Sequence, residues 1–189
     1  MTLYYYLHFH NESKHTYARA DGHDDFGFLR LNACEPVGDI AETCKVWIEN
    51  EQFPNKPYED VPWLFGSTGE MVASSKFCKL VAGVDSRCAQ FIPVQARYKE
   101  KSNLPPDYYS LVNWLHLVDI TDYDQSEMRT DHAIGYSYMH DHVIDWSLVP
   151  SGIPVFRIKH RPTFLYCTKA FVDILKSNGI TGLFAMRAN

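Results

Sequence analysis

Apolar positions fall in short runs along the chain, and the period within each run changes repeatedly between two and three to four residues. The aromatic-rich runs Leu3–His10 and Phe26–Leu31 read as strands joined across a polar loop containing Asp21-Gly22, which predicts a hairpin. Asp39 followed by Glu42 has the spacing of a capping box, and Ile40, Cys44, Trp47 and Ile48 then share one helical face. That spacing predicts a helix of about three turns. A second helix is expected after Ser74, with Phe77, Leu80, Val81 and Val84 inward. The run Cys88–Tyr98 reads as a strand in which Pro93 marks an edge or a bulge, and Tyr108–Ile120 as a longer strand beyond the Pro105-Pro106 loop.

Towards the C-terminus, IPVFRIK and TFLYC are strands around an Arg161-Pro162 turn. Thr168 then caps a helix that turns Phe171, Val172 and Leu175 inward. Asn178-Gly179 ends it, because glycine adopts the left-handed conformation cheaply and Ile180 can fold back onto the last turn. A last strand, GLFAM, follows. Strands and helices mix without a β-α-β rhythm, so the expected class is α+β: a mixed, mostly antiparallel sheet with about three helices packed on it.

The 189 residues fit one domain spanning 1–189. Pro54, Pro57 and Pro62 make FPNKPYEDVP the best candidate boundary between an N-terminal lobe, 1–62, and a C-terminal lobe, 63–189. Every apolar run is interrupted well short of a membrane span, and the first residues lack a secretory leader, so a soluble cytoplasmic protein with no membrane partner is expected. The five cysteines form no C-x-x-C pair and read as reduced core thiols.

A formal charge of -5 argues against nucleic acid as a partner and suits a basic protein. The acidity is local. Between Asp119 and Asp145 seven acids (Asp119, Asp122, Asp124, Glu127, Asp131, Asp141, Asp145) face one base, Arg129, whereas from Arg157 onward six bases face one acid, Asp173. Within the acidic stretch Tyr136, Tyr138 and Trp146 interleave with acids in no amphipathic period, a composition that suits an interaction surface.

Candidate chemistry is sparse. His140, His142 and Asp145 could hold a metal, since alternate histidines on an extended chain point the same way, but a solvated loop explains them as well. Cys88 has Arg87 beside it, yet neighbours on a strand point apart; Ser74 and Ser75 lack a nucleophile elbow. No phosphate loop, dinucleotide fingerprint or zinc-protease motif is present, so no catalytic residue and no cofactor is assigned.

Five segments, in order, carry a resemblance: MVASSKFCKLV from Met71; QFIPV at Gln90–Val94; the Tyr108-Tyr109 strand leading to Asp122 and Ser126 (D-x-x-x-S); VFRI at Val155–Ile158; and TGLF at Thr181–Phe184. They resemble a family of bacterial immunity proteins of polymorphic toxin systems, first catalogued as a domain of unknown function, over roughly Met71 to Met186. The shared residues look architectural: Pro93 an edge device, Asp122 with Ser126 a turn and cap, Gly182 a close backbone approach, Arg157 a buried ion pair. The resemblance implies a non-enzymatic inhibitor that neutralises a cognate toxin by direct contact, its partner-choosing residues outside the shared motifs; the acidic, aromatic stretch from Arg129 to Trp146 then makes Asp131, Tyr136, Tyr138, Asp141 and Trp146 the expected contacts. Two alternatives stay open: a metal-dependent hydrolase using His140, His142 and Asp145, and a scaffold or regulatory binding domain.

Overall fold

The computed structural model describes residues 2–9, 17–21, 33–38, 45–49, 58–64, 71–98, 105, 107–131 and 136–188. A five-stranded sheet takes strands from both ends of the chain: β1 (Tyr4–Phe9), β9 (Leu117–Val118), β12 (Val155–Ile158), β13 (Arg161–Thr168) and β14 (Leu183–Arg187). Their order is β14-β1-β13-β12-β9, antiparallel except for β9 against β12. With β13 and β14 on its two sides, β1 does not form the hairpin expected with a following strand. Phe26–Leu31 lie outside the described residues.

Three antiparallel strands form a second sheet: β5 (Met71–Ser74), β8 (Tyr109–Trp114) and β6 (Ala89–Pro93), with β8 central. Strand β8 (YSLVNW) is covered on both faces, Asn113 included. Val112 and Trp114 enter a core with the helices and the first sheet, while Tyr109 and Leu111 enter another with the third sheet. That sheet has the order β4 (Trp63–Leu64), β2 (Tyr17–Asp21), β3 (Lys45–Glu49), β7 (Gln95–Tyr98). The expected Cys88–Tyr98 strand therefore divides at Val94. Pro93, which has no amide hydrogen, ends β6 on a sheet edge, and β7 leaves to pair with β3. The longer strand likewise stops at Trp114, and Leu117–Val118 joins the first sheet instead.

Two α-helices are found among the described residues, where about three were expected. Of the helix predicted from Ile40, residues 39–44 lie outside the described residues, and its later part is a strand at Lys45–Glu49, with Val46 and Ile48 buried in alternation and pairing on both sides, to β2 and β7. In so short an apolar run both periods fit, and sheet pairing decided. Helix α1 (Ser75–Val84) begins where the Ser74 hydroxyl accepts the Phe77 amide, and it buries Phe77, Cys78 and Val81. Helix α2 (Lys169–Ser177) begins at Thr168, buries Phe171, Val172 and Leu175, and ends as expected. The Gly179 amide bonds to Lys176 and the Ile180 amide to Leu175, with Gly179 at φ 58° and Ile180 packed on the core. Both helices share the core between the first two sheets.

One polar junction ties the Asp60-Val61 segment and the start of α1 to Thr181, just before β14. Buried Asp60 accepts from the Ser74 hydroxyl (2.8 Å), from Lys76 Nζ (3.2 Å) and from the Thr181 amide (3.1 Å). The Val61 amide bonds to the Thr181 carbonyl. Gly182 follows at φ +88°, where a Cβ would lie 2.0 Å from the Val61 oxygen, so the close approach expected of this glycine is present. No helix among the described residues is long and apolar enough to cross a membrane.

Candidate binding hairpin and family

The acidic stretch folds into a separate two-stranded ribbon, β10 (Glu127–Asp131) and β11 (Tyr136–Asp141), which pairs with no other strand among the described residues. Its foot is built from polar ties. Asp122 Oδ1 accepts the amides of Asp124 and Gln125, closing a turn, and the Asp122 carbonyl accepts the Ser126 amide. Ser126 Oγ accepts the Val143 amide at 3.0 Å and donates to the Val143 carbonyl, while the Asp122 amide donates to that carbonyl too. Asp122 and Ser126 thus perform the turn and cap expected of them and clamp the ribbon's two ends together.

Register distributes the ribbon's residues. Arg129 lies opposite Tyr138 and Asp131 opposite Tyr136, so these four positions are in phase, while Met128 opposite Met139 and Thr130 opposite Ser137 alternate with them. An extra residue in β11 interrupts the ladder: Glu127 pairs with Asp141 and Met128 with Met139, which leaves His140 as a one-residue bulge. Ligand atoms of Glu127, His140 and Asp141 accordingly lie within 4.8 Å of one another, although adjacent His140 and Asp141 would point apart on a regular strand. Arg129 Nε, 2.8 Å from Glu127 Oε1, occupies the Glu127 carboxylate and holds its pKa below the usual range.

Of the expected contacts, Tyr138 and Asp141 are exposed, and Asp131 and Tyr136 fall in phase with Tyr138 by register. Trp146 is different. It opens a 3₁₀ turn (Trp146–Leu148), is half-buried, stacks on Tyr4 at 5.2 Å and meets Tyr166 edge-on at 5.7 Å. Its remaining surface lines an open pocket of about 360 Å³ with Thr2, Tyr4, Ser147, Val149 and Ser151.

His140, His142 and Asp145 are not brought together as a ligand set. His142 Nε2 lies 3.0 Å from Thr121 Oγ1, and Asp145 Oδ1 accepts both the amide and the hydroxyl of Ser147 as the cap of the 3₁₀ turn. The two histidines fail to align because β11 ends between them, at Asp141. The thiol reading fares no better as chemistry: burial pushes Cys88 and Cys167 up to about 12, with Asp85 adding to the shift at Cys88. Arg157 is buried, and its guanidinium donates to the Pro162 carbonyl.

A family model described as the Immunity protein family (Imm11) matches residues 12–185. The chain belongs to that family. The match begins well before Met71, so the immunity-protein family's extent includes most of the N-terminal segment that the sequence resemblance left out. A search of curated proteins finds no match. In this immunity protein the ribbon was missed as an element. Met128–Asp131 and Tyr136–Asp141 alternate only weakly in polarity, since neither ribbon face is buried in a core; the one available signal was Gly135 between two strand-compatible runs.

Proposed function

We propose that this chain, acting as one domain over 1–189, is a non-enzymatic immunity protein that binds a cognate toxin in the producing cell's cytoplasm and neutralises it by direct contact. Family membership supports the role. The observation that supports the mode of action is the separate ribbon, whose in-phase positions carry Glu127, Asp141 and Tyr138 in solvent. Carboxylates there would steer a basic partner, and aromatic side chains would hold it. On this reading Asp131, Tyr136, Tyr138 and Asp141 form the contact, with Trp146 contributing only its pocket-lining edge.

Co-expression with the toxin gene adjacent to this one tests the proposal. Growth should be restored, and the two proteins should co-elute as one complex on size exclusion. Persistent growth inhibition with no complex would sink it.

A further inference from the structure

The ribbon has two faces, and the proposed contact occupies one. On the other, Met128 is 54% exposed, Thr130 is exposed, and Met139, directly opposite Met128, is half-buried. A bulge-free ladder would have brought Asp141 onto this face; the extra residue in β11 returns it to the side of Glu127 and keeps acids off the methionines. The ribbon is therefore segregated into a charged, aromatic face and a thioether face. Methionine is unbranched and polarisable, so it adapts to irregular apolar surfaces and is over-used at binding surfaces. The ribbon pairs with no other strand among the described residues, and exposed Met128 beside half-buried Met139 leaves apolar surface there that a partner could cover.

Resting on the immunity reading, we propose that the Met128–Met139 face is the apolar half of the toxin contact. The partner it fits is a basic protein whose cleft receives the ribbon between two walls. One wall is cationic, against Glu127 and Asp141, and the other apolar, against the methionines. Seven acids against one base between Asp119 and Asp145 complement such a basic partner.

The chain has five methionines, and Met71, buried, and Met186, exposed on β14, serve as internal references. The chain labelled with methyl-¹³C methionine is titrated with the catalytically inactivated toxin encoded beside it, and the methyl signals are followed. Met128 and Met139 should shift or broaden while Met71 and Met186 stay in place. Met128→Gln and Met139→Gln, which remove apolarity without adding charge, should each weaken binding by about fivefold or more, and Met186→Gln should not. A complex that leaves the Met128 and Met139 signals unmoved, or that both ribbon variants bind like wild type, overturns this inference alone. Absence of any complex with the wild-type chain overturns the immunity reading, and this inference with it.

Discussion

Two residues set measurable limits on stability. At half-buried His142, burial lowers the pKa, and Arg161 and His160 lower it further, against an opposing pull from Asp119. The unfolded chain therefore binds that proton more readily, so the His142 contribution is full above the ordinary value of 6.5 and is lost as pH falls through the depressed folded value. At Asp119 partial burial raises the pKa, but hydrogen bonds from Lys159, Tyr123 and the Thr121 amide outweigh it and hold the carboxyl at about 2. Its contribution is present above 3.8 and disappears as pH falls towards 2. Urea midpoints measured across pH should thus fall in two windows, and His142→Gln should reduce the first decline while leaving the second. Gly182→Ala places a Cβ against the Val61 carbonyl at a positive φ, and should cost roughly 2–4 kcal/mol in urea unfolding.

At the scale of elements, the ribbon is tied to the fold through Asp122, Ser126 and Val143 rather than through a core of its own. Local opening is set by such ties when few apolar contacts back them. Ser126→Ala should lower amide-exchange protection across Glu127–Asp141 by about 1 kcal/mol while leaving protection of β8 unchanged. Equal loss in both would mean that the ribbon opens only with the whole molecule. The helices behave differently: each has a side-chain cap and a face in the shared core, so cap and packing cooperate.

For the whole molecule, the proposed toxin contact assigns the uneven charge to encounter and the aromatics to release. Exposed carboxylates contribute little to a rim contact, so raising ionic strength should slow toxin association more than it speeds dissociation. Tyr138→Ala should cost about 2 kcal/mol in affinity, mostly through dissociation, as surface plasmon resonance would show. Tyr138 is the better probe than Trp146: the indole also packs on Tyr4 and Tyr166, so its truncation mixes binding with lost packing. Unchanged affinity in a folded Tyr138→Ala protein would move the contact away from this ribbon.

Local chemistry determined what depends on neighbours in sequence. Ser74, Thr168 and Gly179 could be read directly because caps and left-handed turns are satisfied within a few residues. The Asp122–Ser126 turn, the C-terminal strands and the α+β class were legible for the same reason, and the acidic aromatic stretch was visible as composition. Tertiary structure alone decided the rest. Whether Val46-Trp47-Ile48 became helix or strand was settled by β2 and β7 on its flanks, and where Cys88–Tyr98 divided was settled by two sheets competing for one segment. The bulge at His140, which sorts acids from methionines, arises from cross-strand register, and the Asp60–Thr181 junction joins residues 121 positions apart. Pairing and register are long-range choices, and no period within one strand encodes its partner.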